Sequence, residues 1–182
     1  IETRAFYRCS NLASITIPKN VTTIGEDAFE GCSSLTNIGI SYGVPAINEL
    51  AFRNCTALTN ISIPSSVTSI GEGAFIGCSA LTRIDIPDTV TSIEEYAFSG
   101  CSSLTTMTIP GSVASFGSNI FAGCTSLKSL ELSEGGTSIP ENAFQECGSL
   151  TSIIVPESVT SIGSGAFRDC ESLISFTIPS SI

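Results

Sequence analysis

The sequence predicts a repeat solenoid in which one structural unit is stacked about eight times. All eight cysteines are separated by intervals of 23 residues, and a phenylalanine stands three residues before each of them. A fixed period of this length is the signature of stacked repeats. We therefore expect residues 1–182 to form one elongated domain of about eight 23-residue repeats, with both ends falling inside a repeat. The cysteines are Cys9, Cys32, Cys55, Cys78, Cys101, Cys124, Cys147 and Cys170.

The first predicted element of each repeat is a short strand. Leu58 opens a segment in which Ile61 and Ile63 alternate with polar residues, and such alternation is typical of a strand with one buried face. Proline ends the strand in six copies, because it lacks the N–H that a ladder needs. These prolines are Pro18, Pro64, Pro87, Pro110, Pro156 and Pro179.

A second apolar pair predicts an extended stretch on the opposite wall. In the third copy this pair is Val67 and Ile70, followed by a glycine, an acid and Ala-Phe, which predicts one helical or 3₁₀ turn. Glycines that precede the cysteine, such as Gly31, suit the left-handed end of a helical turn. Arg8 and Glu146 fit that conformation poorly.

Stacking places equivalent side chains at roughly the interstrand spacing of a sheet, about 4.8 Å. The Leu, Ile, Val, Ala, Phe and Cys rows then fill a continuous interior, which no single repeat could bury without its neighbours. The longest apolar runs are only a few residues, so membrane insertion is not expected.

The pattern L-x-x-I-x-I-P followed by A-F-x-x-C resembles the BspA-like class of leucine-rich repeats, and the resemblance covers all 182 residues. It implies a right-handed superhelix with a parallel β-sheet on the concave side and short strand, 3₁₀ or helical turns on the other walls. It also implies a surface or secreted protein that adheres to host or matrix components, without catalytic residues or cofactors. Ser41 and Ser133 replace the proline that ends the strand in the other copies, which predicts altered loops at residues 41–45 and 133–136.

The cysteine row leaves two interpretations open. Stacked Cα atoms about 4.8 Å apart would lie within the distance that disulfides permit. Each cysteine also occupies the same apolar slot beside Phe and Leu, where a buried thiol packs well without a partner, and we favour a ladder of free thiols. Zinc is disfavoured because the chain has no C-x-x-C and no histidine.

A row of acids stands two residues before the alanine of most copies. Closely spaced like charges could bind a divalent cation or a cationic partner. At the start of a helical turn the same residues would cap free N–H groups, and capping is the favoured interpretation. The acids are Glu26, Glu49, Glu72, Glu95 and Glu141.

The outward-facing strand positions are the candidate ligand-binding surface. They vary between copies, whereas the buried positions hardly do, and concave solenoid faces commonly bind extended partners. Simple solvation of a sheet is the alternative for any one of them, and Arg83 with Asp85 could be a weak surface pair. The candidates are Asn37, Asn60, Ser62, Arg83, Asp85, Thr106, Thr108, Ser129, Glu131, Ser152 and Ile154.

Charge and composition exclude several functions. The net charge is −10 with no Lys/Arg cluster, which disfavours nucleic acid. The absence of histidine and of a phosphate-binding loop disfavours an enzyme. We expect a binding module for a protein or glycan ligand, with no metal or cofactor. A structural stalk or spacer is the alternative, and an ice-binding hydroxyl array is a remote third.

The apolar ends of the stack predict a further kind of contact. Ile1 and Ile182 are both apolar, and an uncapped solenoid end exposes core residues and a sheet edge. Flanking domains, further repeats or end-to-end self-association are therefore expected to cover them.

Overall fold

Thirteen short strands form two walls of a solenoid in the computed structural model, which describes residues 1–182. The first wall contains β1 (Ser14–Thr16), β2 (Asn37–Gly39), β4 (Asn60–Ser62), β6 (Arg83–Asp85), β8 (Thr106–Ile109), β10 (Ser129–Leu132) and β12 (Ser152–Ile154). The second wall contains β3 (Ala46–Ile47), β5 (Ser69–Ile70), β7 (Ser92–Ile93), β9 (Ser115–Phe116), β11 (Ser138–Ile139) and β13 (Ser161–Ile162).

All strand pairs are parallel and join residues one repeat apart. The first wall forms the ladders β1-β2-β4-β6 and β8-β10-β12, and the second wall forms β3-β5-β7-β9 and β11-β13. Ile38, for example, pairs with Ile61, which pairs with Ile84. This register confirms the predicted solenoid with its parallel sheet. The prediction of a strand in each repeat is wrong for the last one, because residues 175–177 form no strand and no backbone hydrogen bond joins them to β12.

The predicted helical or 3₁₀ turn is also wrong. The segment between each second-wall strand and the next first-wall strand forms a third wall, and successive β-turns occur there instead of a helical turn. For example, Glu30 N–H donates to Asp27 O (3.0 Å), and Cys32 N–H donates to Phe29 O (3.1 Å). The N–H groups between them donate to the next repeat, as Phe29 does to Ala51 O at 2.9 Å. The third wall is therefore a hydrogen-bonded ladder between repeats, and the chain contains no helix. It consequently has no helix that could cross a membrane.

Two left-handed residues per repeat produce this alternation. Gly31 has the predicted positive φ of 72°, and Arg8 and Glu146 adopt it as well, at 56° and 59°. Their N–H groups donate to the next repeat, which compensates for a conformation that L-residues rarely adopt. A second left-handed position four residues earlier is not apparent from the sequence. It is occupied by Arg4, Asp27, Leu50, Gly73, Tyr96, Asn119, Asn142 and Gly165.

The core consists of rows of identical side chains. Eight phenylalanines form one stack from Phe6 to Phe167, with neighbouring ring centroids 5.1 to 5.8 Å apart. Offset stacking at this distance adds to the gain from burial. The Leu and Cys rows are also fully buried in the middle repeats.

The cysteines are free thiols that bond along the stack. The Sγ of Cys78 donates to Phe52 O at 3.1 Å, and Cys55 donates in the same way to Phe29 O at 3.2 Å. Burial raises the pKa of Cys78 to about 12. The structure therefore agrees with the thiol ladder and contains no disulfide.

Threonine hydroxyls form further ladders that are not apparent from the sequence. Thr59 Oγ1 donates to Thr36 O at 3.3 Å, and Thr82 Oγ1 donates to Thr59 O at the same distance. Each hydroxyl thus bonds a carbonyl of the repeat before it. Many Ser and Thr residues consequently support the stack instead of serving only as solvated surface.

Candidate binding surface

The outward side chains of the first-wall strands form one exposed face, which we call the strand face. Each of these strands turns its central residue inward and exposes the residues on either side, as in Asn60, Ile61 and Ser62. The inward residue is buried in the strands from β2 to β10 and half-buried in β1 and β12. The first outward row is Ser14, Asn37, Asn60, Arg83, Thr106, Ser129 and Ser152. The second outward row is Thr16, Gly39, Ser62, Asp85, Thr108, Glu131 and Ile154. All eleven candidate binding residues lie in these two rows.

An ion pair occupies the middle of the strand face. Arg83 Nε donates to Asp85 Oδ1 at 2.9 Å, and the two side chains are 73% and 77% exposed. A pair this exposed contributes about 0–1 kcal/mol to stability. Both groups can therefore exchange their mutual contact for a ligand's at little energetic cost. Thr106 and Thr108 line a shallow depression beside them.

The strand face carries little of the chain's negative charge. Its only acids are Asp85 and Glu131, and Arg83 offsets one of them, whereas the whole chain has a net charge of −10. Ile154 adds an exposed apolar side chain at the end of β12, with 65% of it accessible. The face can therefore provide hydrogen bonds, both signs of charge and one apolar contact.

The acid row lies on the third wall, away from the strand face. The capping interpretation is wrong, because no helix begins there and none of these carboxylates accepts a backbone N–H. The pKa of Glu49 is raised, mainly by desolvation and to a smaller extent by the negative charges of Glu26 and Glu72. No three His, Cys, Asp or Glu side chains converge where a metal could bind.

A second acidic cluster lies near the start of the third wall and is not apparent from the sequence. Asp27 is 2% exposed and bonds Arg4 at 2.8 Å. Glu30 is 8% exposed, and its Oε1 is 3.9 Å from an Arg53 nitrogen. Burial, together with a hydrogen bond to Asp27, raises the pKa of Glu30, and the Arg53 and Arg8 charges oppose that rise.

A groove at one end of the strand face is the largest concavity of the molecule, with a volume of about 740 Å³. Lys19, Gly39 and Tyr42 line it together with residues of β1 and β2. It borders the first of the two altered loops. Sequence reasoning identifies that loop by its missing proline but not the groove, because the groove combines side chains of two successive repeats.

The altered loop is held on both sides. Ser41 Oγ donates to Ile17 O at 2.9 Å and to Pro18 O at 2.7 Å in the preceding repeat. Gly43, at a φ of 132°, donates its N–H to Ser66 Oγ of the following repeat at 3.1 Å. Tyr42 stands between these two anchors, 73% exposed.

The chain matches the family model of the BspA type leucine rich repeat region over residues 1–122 and 74–182. The two matched ranges together span the whole sequence. Comparison with functionally curated proteins gives no significant match.

Solved structures of bacterial leucine-rich repeat proteins are similar to this chain. The crystal structure of a T. pallidum leucine rich repeat protein is 32% identical, with a TM-score of 0.66, covering 95% of this chain and 70% of that one. A leucine rich cell surface protein from Faecalibacterium prausnitzii is 33% identical, with a TM-score of 0.51, covering 95% and 61%. A leucine-rich repeat protein from Bacteroides ovatus is 25% identical, with a TM-score of 0.50, covering 98% and 70%.

Proposed function

Because this chain belongs to the family of BspA-type leucine-rich repeat proteins, we propose that it is a non-enzymatic module that binds a protein or glycan ligand on its strand face. The similarity to a cell surface protein of F. prausnitzii supports a surface or secreted location. We propose adhesion as the role.

The observation that carries this proposal is the contrast between the two sides of the first-wall strands. The inward residue is apolar in every strand, as in Ile61, Met107 and Leu130. The outward residues include hydroxyls, amides, both signs of charge and one isoleucine. A sheet that needed only solvation would be served by the same Ser or Thr in each repeat. Varied chemistry on a fixed frame is what recognition of an extended partner requires.

The dimensions of the strand face suit an extended ligand. Seven strands at about 4.8 Å per repeat give a face of roughly 30 Å. Along that length the central charged pair can orient a ligand, since charged groups contribute more to specificity than to affinity. The Ser, Thr and Asn side chains on either side supply donors and acceptors.

The test is capture of matrix proteins, mucins and glycans on an array by the wild-type protein and two triple variants. The first variant replaces Arg83, Asp85 and Thr106 by alanine. The matched control replaces Glu72, Glu95 and Ser118 of the third wall by alanine. We expect saturable capture that only the strand-face variant loses, with both variants retaining the wild-type circular dichroism spectrum. Equal capture by all three proteins would contradict the proposal.

A spacer is the second candidate, and the inter-repeat bonding favours it. The Phe stack runs from Phe6 to Phe167, and backbone hydrogen bonds join successive repeats on all three walls, although each sheet wall is divided into two ladders. Continuous stacking of this kind is what a stiff rod requires. A spacer would be indifferent to the strand-face variant and would capture nothing from the array.

A further inference from the structure

We propose that the groove beside Tyr42 is a subsite for a carboxylate-bearing sugar residue, such as a uronic or sialic acid. This inference rests on the proposed function, because it assigns a ligand class to one end of the strand face. We call this site the Tyr42 groove and define it by Thr16, Lys19, Asn37, Gly39 and Tyr42. Its volume of about 740 Å³ lies within the roughly 300–1,000 Å³ typical of small-molecule sites.

The floor of the groove exists because Gly39 has no side chain. It is the one glycine in the second outward row, where all other strands carry a side chain. A Cβ at Gly39 would meet nothing within 4 Å, and its φ is not in the left-handed region. Neither packing nor backbone conformation therefore requires glycine here. A glycine within a strand often marks close approach of a ligand to the backbone.

The wall of the groove is a tyrosine ring on an immobilised backbone. Ser41 and Gly43 are both hydrogen-bonded to neighbouring repeats, and the ring between them is 73% exposed. An aromatic ring supplies a large contact area and loses little side-chain entropy on binding. A flat apolar surface above an open backbone suits the apolar face of a pyranose ring.

Lys19 determines the charge preference of the groove. The 23-residue register makes Lys19 the equivalent of Tyr42 one repeat earlier, and both residues line the groove. No acid lines the groove, although the chain as a whole carries −10. An ammonium group in that position selects a carboxylate through a charge-assisted hydrogen bond. Thr16 and Asn37 add a hydroxyl and an amide for the sugar hydroxyls.

A sugar fits the groove better than an extended peptide does. The groove lies over the outward side of β1 and β2, which are paired with each other through Ile15 and Ile38. Its floor is the face of the sheet and not the free outer edge of β1, so a peptide backbone lying on that floor could not form a ladder. We call the space left by the missing side chain at Gly39 the notch. A compact pyranose ring needs only this notch, the Tyr42 ring and the polar groups of Thr16, Lys19 and Asn37.

The second altered loop provides an internal comparison. Four repeats later, Gly135 has a φ of 126° and donates to Ser158 Oγ at 3.2 Å, much as Gly43 does to Ser66. There Glu134 replaces Tyr42, and Glu131 replaces Gly39. The anchor to the following repeat thus recurs without the aromatic ring, the notch or a preceding lysine. On the other side, the backbone N–H of Ser133 donates to Ile109 O of the preceding repeat at 3.0 Å, in place of the hydroxyl bonds of Ser41. Glu134→Ala is consequently the matched control for Tyr42→Ala.

The experiment is isothermal titration with 3′-sialyllactose and with tetragalacturonate, which distinguish the two sources of the carboxylate. Lactose and methyl-esterified tetragalacturonate are the neutral counterparts. We expect at least one acidic probe to bind about tenfold or more tightly than its neutral counterpart, in line with one charge-assisted contact. Tyr42→Ala and Lys19→Gln should each weaken binding about tenfold or more, while Glu134→Ala leaves it unchanged.

The Gly39→Thr variant tests the notch without disturbing the fold. Threonine already occupies the equivalent positions at Thr16 and Thr108, so the variant should keep the wild-type unfolding temperature and lose the sugar. The proposal would be overturned if Gly39→Thr kept full affinity, if neither acidic probe bound, or if the neutral probes bound as tightly as the acidic ones. Binding of an acidic hexapeptide that Tyr42→Ala abolishes, with both sugars silent, would overturn it in favour of a peptide site.

The two proposals fail in different ways. Array capture that depends on Arg83, Asp85 and Thr106, without titration by either acidic sugar, would overturn only the Tyr42 groove. Sugar binding that Gly39→Thr abolishes, with an array indifferent to the strand-face variant, would overturn only the wider strand-face function.

Discussion

The Cys78 thiol donates a hydrogen bond to the carbonyl oxygen of Phe52, 3.1 Å away in the preceding repeat. Six other cysteines from Cys32 to Cys170 bond the equivalent phenylalanine carbonyl at 3.1 to 3.3 Å. Phe52 O also accepts the backbone N–H of Cys55 at 3.2 Å, so the thiol occupies the second lone pair of a carbonyl that is already paired. The cysteine row is thus a hydrogen-bonding element of the stack as well as part of its apolar filling.

The first prediction concerns thiol reactivity. Since burial raises the pKa of Cys78 and of Cys124 to about 12, only about one thiol in ten thousand would be ionised at pH 8. Thiolate is the reactive form, and both side chains are fully buried. In the folded protein we expect maleimide labelling at the exposed Cys9 and none at Cys78 or Cys124. Peptide mass mapping would detect this.

Labelling in denaturant is the control, and all eight cysteines should then react. Rapid modification of Cys78 under native conditions would contradict the prediction. Two cysteines that resist labelling even in denaturant, and react only after reduction, would reveal a disulfide instead of free thiols.

The second prediction concerns the phenylalanine stack. Phe75 is fully buried between Phe52 and Phe98, with ring centroids 5.5 Å away on both sides. Phe75→Ala should lower the free energy of unfolding by about 3–5 kcal/mol, the usual range for a buried phenylalanine. Phe6→Ala should cost less, since Phe6 is half-buried and has one stacked neighbour. Urea denaturation of both variants measures the difference, and equal losses would contradict it.

The two sheet walls could be predicted from the sequence because side-chain pattern alone determines them. Ile61 alternates with polar neighbours, and its equivalent one repeat later does the same, so period and pairing follow from the residues. The third wall could not be predicted in this way. Its geometry depends on two left-handed residues per repeat, and the first of these positions is filled by residues as different as Asp27, Leu50 and Tyr96. The backbone bonds between repeats impose the conformation there.

The binding surface was only partly predictable for a related reason. The outward rows follow directly from the strand alternation, so every candidate from Asn37 to Ile154 lies on the strand face. The Tyr42 groove depends on a residue that is missing a side chain, Gly39, and on Lys19 from the preceding repeat. Prediction from the sequence considers the side chains that are present. It therefore does not identify a site that forms because a side chain is missing.

The third prediction concerns pH. The folded-state pKa of Glu30 is raised above its ordinary value of 4.5, first by burial and then by the hydrogen bond with Asp27, against the charges of Arg53 and Arg8. The folded protein therefore holds this proton more tightly than the unfolded chain does. The resulting stabilisation is fully present below pH 4.5 and is lost as the pH rises through the folded-state pKa.

Glu30→Gln isolates this effect, because the amide stays neutral at every pH. We expect the free energy of unfolding of the wild type, minus that of Glu30→Gln, to fall as the pH rises from about 4 towards about 7. Urea denaturation at each pH measures it, with the exposed Glu131→Gln as the control. A difference that grows with pH would show that the Arg53 ion pair outweighs burial.

The last prediction compares a glycine with a left-handed backbone conformation with a glycine that has an ordinary φ and free space around its Cα. Gly100 has a φ of 71°, and a Cβ there would lie in ordinary contact, 3.5 Å from Gly77 N. The cost of Gly100→Ala is therefore conformational and should be about 1–2 kcal/mol. A methyl group at Gly148 would have no atom within 4 Å, and Gly148 has no left-handed φ. Gly148→Ala should thus be neutral or stabilise the protein by up to about 1 kcal/mol, by restricting the unfolded chain.

Thermal and urea unfolding of the two alanine variants test this difference directly, because the substitution is chemically identical at both sites. Gly100 N–H donates to Ala122 O at 2.8 Å. A shift of φ to the negative values that alanine prefers would therefore also break this hydrogen bond between repeats. A Gly100→Ala protein as stable as the wild type would mean that the third wall can relax without losing that bond. The left-handed positions would then be a consequence of the stacking and not a requirement for it.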